Sequence, residues 1–134
     1  MAGKSFKLQM NPTFNAAVKI PRVGGDPLSV TFTFKAMDRR ELAKTFDKWK
    51  KENLQLIEEA KSAAADGSEF TLEDWTDREI AMQINQVKDI TTGWGFSDEF
   101  NDENIEALVT TSVSVTDAIL EQYNEAYTRA RSGN

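Results

Sequence analysis

The first third of the chain alternates between apolar and polar positions. Phe14, Ala16, Val18 and Ile20 interleave with Asn15, Ala17 and Lys19. Leu28, Val30, Phe32, Phe34 and Ala36 interleave with Ser29, Thr31, Thr33 and Lys35. Successive side chains of an extended strand point to opposite faces, so this spacing gives each segment one apolar row. Between them, Pro21-Arg22-Val23-Gly24-Gly25-Asp26-Pro27 concentrates turn formers, because glycine reaches positive φ freely and proline fixes its own φ. The pattern predicts a hairpin of Phe14–Ile20 with Leu28–Ala36, and Phe6–Met10, which alternates with Lys7 and Gln9, supplies a candidate third strand. A two-stranded ribbon is marginal on its own, so its apolar face needs helices to pack against.

The period then lengthens. Asp38, followed three residues later by Glu41, is an Asp form of the capping box that opens a helix. Leu42, Phe46, Trp49, Leu56, Ile57, Ala60 and Ala64 recur at helical spacing, with Asn53 as a polar interruption, up to Asp66-Gly67. Glycine accepts the left-handed position that ends a helix. About 27 residues at 1.5 Å each make a rod roughly 40 Å long, which invites a partner along its length. Ser68–Asp74 reads as a polar connection, and Ile80, Ile84, Val87 and Ile90 mark a second helix ending before Gly93. A third runs from Asp102 to about Thr110, with Asn101 as its cap. The stretch Thr110–Ser114 is poor in helix propensity and reads as a break, after which Ser114 caps a last helix with Asp117 at its third position. Val115, Ile119, Tyr123, Ala126, Tyr127 and Ala130 form its buried stripe, and Arg129 and Arg131 complement its C-terminal dipole. The expected fold is α+β: an N-terminal antiparallel β-hairpin packed on a bundle of about four helices. It forms a single domain over residues 1–134, with the ribbon at about 5–36 and the helical part at about 38–131.

Composition narrows the chemistry. A chain of 134 residues has room for one core, and no apolar run approaches the roughly 18 residues of a membrane span. Met1-Ala2-Gly3-Lys4-Ser5 leads into a mixed segment with no apolar signal region, so a secreted location is not expected. Zero cysteine removes disulfides and thiolate chemistry, and zero histidine removes the commonest general base and metal ligand. The acids Asp98, Glu99, Asp102, Glu103 and Glu106 fail the calcium-loop pattern, because from Asp98 the third position is Phe100 and the sixth is Glu103. They fit helix capping instead. Gly24-Gly25 lacks the spacing of a phosphate loop, and Glu58-Glu59 are adjacent on a helix and do not converge. On its residues alone the chain reads as a small soluble α+β domain, without expected catalytic residues, cofactor or metal.

Charge is split along the sequence. Residues 1–61 carry 12 Lys/Arg against 7 Asp/Glu, a net +5, while residues 62–134 carry 4 against 15, a net −11. Blocks of opposite sign fit intramolecular pairing, head-to-tail contact between copies, or solvated helix faces. The overall balance opposes nucleic-acid binding. Arg39, Arg40, Lys48 and Lys51 on the first helix, together with Trp75, are the candidate protein-binding residues.

One further stretch, Gly93-Trp94-Gly95-Phe96-Ser97-Asp98-Glu99-Phe100-Asn101, places three aromatics in a loop before a helix. Trp94 and Phe96 are read as a plug that fixes the helix junction. Three ordered features carry a resemblance: the ribbon end Thr31-Phe32-Thr33-Phe34-Lys35 before Asp38-Arg39-Arg40-Glu41-Leu42; Val87–Trp94, a hydrophobic-x-x-Gly-Trp element; and Phe100, Asn101, Glu103, Asn104, Ile105 and Leu108, followed by Ile119, Tyr123 and Tyr127. Over about residues 28–128 the chain resembles the bacteriophage tail assembly chaperone family. The signature residues in this sequence are Trp94, Phe96, Phe100, Asn101, Ile105, Leu108 and Tyr123. The family commonly has proline between its last two helices, where this chain has Ser112-Val113-Ser114. The resemblance implies a non-enzymatic chaperone that coats the tape measure protein, recruits tail tube subunits and self-associates. It would work in the cytoplasm of the infected bacterium and be absent from the mature virion. The competing reading is a small acidic inhibitor that mimics nucleic acid through the −11 half.

Overall fold

The computed structural model describes residues 12–132. Strands β1 (Thr13–Arg22) and β2 (Gly25–Lys35) pair antiparallel, with Phe14 opposite Phe34 and Val18 opposite Val30. The hairpin is longer than the sequence pattern predicts, and both prolines sit within its strands. A proline donates no ladder hydrogen bond and is tolerated on an edge or at a bulge. Here a register shift lies between Ile20 and Arg22, flanking Pro21, and Pro27 lies beyond the part of β2 that pairs with a second neighbour. The turn itself is Val23-Gly24, with Gly24 at φ +76.

Four helices follow: α1 (Arg39–Ala65), α2 (Leu72–Ile90), α3 (Asp102–Thr111) and α4 (Val113–Ser132). Between α2 and α3 a short strand, β3 (Thr91–Trp94), pairs antiparallel with β2, bringing Trp94 opposite Phe32. The sheet order is β1-β2-β3, so β2 is central. This third strand was not expected; the candidate at Phe6–Met10 lies outside the described residues. β3 is only four residues long and leaves α2 without a linker, because Thr91 is already extended at φ −123, ψ 140. Its one signal is the β-branched pair Thr91-Thr92.

Two helix boundaries also differ. The predicted connection Ser68–Asp74 is shorter, because α2 starts at Leu72 with Thr71 as cap. Thr71 Oγ1 accepts from the Asp74 amide, and Asp74 Oδ2 accepts from the Thr71 amide, each at 3.0 Å. Asp74 therefore belongs to the helix start as a reciprocal cap. The predicted break at Thr110–Ser114 contracts to Ser112 alone, and Ser114 does not cap α4, which begins at Val113. The Ser112 carbonyl accepts from the Val115 amide at 3.2 Å. Burial of Val109 and Val115 outweighs the weak propensity of the residues between them.

The core lies between the apolar face of the sheet and α2, α3 and α4. Val18, Phe32 and Phe34 from the sheet meet Val87, Ile90, Ile105, Ile119 and Tyr123 from the helices, all essentially without solvent exposure. Each such side chain contributes about 1.5–3 kcal/mol by leaving water. α1 is different. It begins as expected, with Asp38 Oδ1 accepting from the Glu41 amide at 2.9 Å, and ends on Gly67 at φ +75. Over 27 residues, however, it buries Leu56 alone. Leu42 and Trp49 are half-buried near its root, and beyond them it pairs with α2 as a helical arm.

The root of that arm is held by two tyrosines of α4. The Met37 amide donates to Tyr127 Oη at 2.8 Å, and Tyr123 Oη donates to the Lys35 carbonyl at 2.9 Å. The two hydroxyls are 3.1 Å apart. Burial, reinforced by the bond to Tyr127, pushes the Tyr123 phenol well above the ordinary tyrosine value of 10.0. The folded state thus holds this proton more tightly than the unfolded chain does. Its contribution to stability is complete below pH 10 and is lost as pH rises past that value. Chemical denaturation at stepped pH should show stability falling above about pH 10, and Tyr123→Phe should flatten that fall.

Candidate functional site

All the signature residues but Tyr123 gather around a single aromatic junction. Gly95 donates its amide to the Thr31 carbonyl at 2.7 Å, carrying the chain off β3 against the backbone of β2. A Cβ at Gly95 would stand 3.3 Å from that same carbonyl oxygen, so glycine permits the close approach. Trp94 then meets Phe96 and Phe100 edge to face, each with ring centroids 5.0 Å apart. Phe32 reaches Trp94 and Phe96 at 6.1 and 6.2 Å. Trp94 Nε1 donates to the Asp98 carbonyl at 2.8 Å, closing the loop on itself. Asn101 Oδ1 accepts from the Asn104 amide at 2.9 Å and caps α3, and Asn104 Nδ2 donates to the Glu99 carbonyl at 2.8 Å. Ile105 is buried beneath the junction, and Leu108 packs partly against it. Tyr123 lies elsewhere in the core, against Phe14 and Phe34.

This junction leaves an open groove of about 300 Å³, lined by Trp94, Phe96, Ala107 and Leu108 with Asp98 and Asn104 at its edge. Asp98 is the one carboxylate among these lining residues. Among the described residues no three potential metal-ligating side chains come together, and no helix is long and apolar enough to cross a membrane.

The candidate binding residues are dispersed along the arm. Arg39 and Arg40 are exposed in the first turn of α1, and Trp75 lies in the first turns of α2, half-buried against Phe70. Because α2 runs back along α1, with Arg78 paired to Glu59, most of the length of α1 separates them. Lys51 is exposed midway. Lys48 sits 3.0 Å from Asp89 of α2 and 4.0 Å from Glu52. Asp89 Oδ2 also accepts from Trp49 Nε1 at 2.9 Å, so one carboxylate ties two α1 side chains to α2. Farther out, Arg78 of α2 pairs with Glu59 of α1. Sequence reasoning missed Asp89 as this clamp and Tyr127 as the arm's anchor. The Lys48-Trp49 pair gave no indication of which acid it would meet, since Asp89 is 40 residues from Trp49.

The fold combines a sheet-and-helix core carrying an aromatic junction with a helical arm that buries only Leu56. The family model for phage tail assembly chaperones matches residues 1–134, and the chain belongs to that family. No curated protein and no solved structure matches it.

Two substitutions test the packing of β3 and the junction. Trp94→Ala should lower the unfolding free energy by about 3–5 kcal/mol in a urea titration, as expected for truncating an aromatic in a packed cluster. Thr91 Oγ1 is buried without a hydrogen-bond partner. Thr91→Val, which keeps the shape and removes that orphan hydroxyl, should raise stability by roughly 1 kcal/mol in the same titration.

Proposed function

We propose that this tail assembly chaperone binds the tape measure protein, keeps it soluble, and recruits tail tube subunits while copies of the chaperone associate with one another. In this reading it acts as a single domain without catalysis, in the cytoplasm of the host bacterium, and is not retained in the mature virion. The observation that carries the reading is α1, which spans 27 residues yet buries only Leu56. Its outer surface presents Leu54, 52% exposed, beside Lys50 and Lys51, with Phe46, Arg39 and Arg40 toward the root. A long helix open along one side suits an extended helical partner, which adds its own apolar stripe side by side with the first.

Co-expression with a tape measure protein from a phage that encodes this chaperone tests this directly. A soluble complex is expected, and Leu54→Asp should reduce its yield several-fold without lowering the chaperone's own melting temperature, because Leu54 is already half in water. Preferential capture of a DNA-processing enzyme instead would overturn the reading in favour of the acidic mimic.

A further inference from the structure

The two N–H donors of the groove beside Trp94 are satisfied internally, while the Asp98 carboxylate stands at its edge. The Trp94 indole and the Asn104 amide both donate to carbonyls of their own loop, so what the groove offers a ligand is the apolar surface of Trp94, Phe96, Ala107 and Leu108. It therefore selects an apolar side chain. One carboxylate, Asp98, is among the residues that line it, whereas nearby Asp102 is paired with Lys88 at 2.9 Å.

The chain itself displays a matching knob. Val23 is 82% exposed, on the two-residue turn at the tip of the β1–β2 hairpin, where its side chain projects clear of its own backbone. Its neighbour Arg22 supplies a cation, held at the tip by donating Nε to the Asp26 carbonyl at 2.6 Å. Leu72 is almost as exposed, at 81%, but Glu73 and Asp74 follow it, and acids would be repelled by the groove's rim. Leu54 also has basic neighbours but lies on the continuous cylinder of α1, which is too broad to enter. Within one copy the two features do not meet. The groove's loop joins β2 at Thr31, and the six residues from there to Gly25 at the tip cover about 20 Å at 3.3 Å per residue.

We propose that Val23 of one copy inserts into the Trp94–Leu108 groove of a second copy, with Arg22 facing Asp98. This rests on the self-association in the reading above and names the surfaces that make it. A turn seated in a groove buries less than the roughly 1,000 Å² of a stable interface. The contact is accordingly weak in dilute solution and accumulates where copies are held side by side.

The absence of cysteine from the chain makes the test clean. V23C and A107C variants, both at exposed positions, are prepared as full chains, one of them carrying a mass tag, then mixed and oxidised with copper phenanthroline. The V23C–A107C disulfide should exceed that of a V23C–E121C control several-fold and should weaken as salt is raised. In the same assay D98R should lower the yield, and adding R22D to the V23C partner should restore it. Equal yields for the groove and control pairs overturn the contact. Sedimentation of the unaltered chain at high concentration and low salt keeps the two failures apart. Association without the selective cross-link overturns this contact and leaves self-association standing, whereas a strict monomer overturns both. Capture of the tape measure protein is scored separately and decides neither.

Discussion

Phe32 sits opposite Trp94 at the centre of the sheet, and the placement of the helices follows from that pairing. β3 is the direct continuation of α2, so fixing Trp94 against β2 also fixes the C-terminal end of α2 over the sheet. The same tryptophan gathers Phe96 and Phe100, which set the entry of α3. Gly95 contributes by having no side chain, because the loop passes within hydrogen-bonding distance of Thr31. A four-residue strand is short by any measure. It holds because its ends are occupied, one by a buried helix terminus and the other by an aromatic cluster.

The molecule divides energetically into a core and an arm. The core draws on sheet, α2, α3 and α4, with side chains fully removed from water. The arm rests on Leu56, the Asp89 clamp with Lys48 and Trp49, and the exposed Arg78–Glu59 pair. Exposed ion pairs contribute about 0–1 kcal/mol, so the outer half of α1 and the start of α2 belong to the low-stability end of the structure. Such a region can adapt to a partner without loosening the core, which suits the proposed role of holding another chain.

Much of this was legible in the residues. The alternation of Phe14–Ile20 and Leu28–Ala36, the Asp38 cap, the Gly67 terminus and the Asn101 cap are local signals; the caps and the terminus stand where the pattern placed them, and the hairpin forms with its strands extended toward the turn to Arg22 and Gly25 and with β2 ending at Lys35. The resemblance read from Trp94, Phe100, Asn101 and Leu108 agrees with the family match over the whole chain. What escaped was non-local. β3 is recognisable as a strand only once β2 lies beside it, and the Tyr127 hydroxyl meets the Met37 amide across 90 residues of sequence. The break between α3 and α4 was overestimated for a related reason. Thr110, Thr111 and Val113 are weak helix formers in isolation, but their neighbours Val109 and Val115 are committed to the core. At the candidate binding site the types of residue were readable, but their distribution was not. Arg39 and Trp75 are separated by most of the length of the α1 rod, so no single pocket joins them.

The length of that rod imposes a ratio. Two helices lying along one another advance by the same rise, about 1.5 Å per residue. The 27 residues of α1 can therefore accompany only a segment of comparable length in any helical partner. A partner of several hundred residues would outrun a single arm many times over. Its coverage would be a count of copies, fixed by its own length, and the arm would serve as the unit of measure.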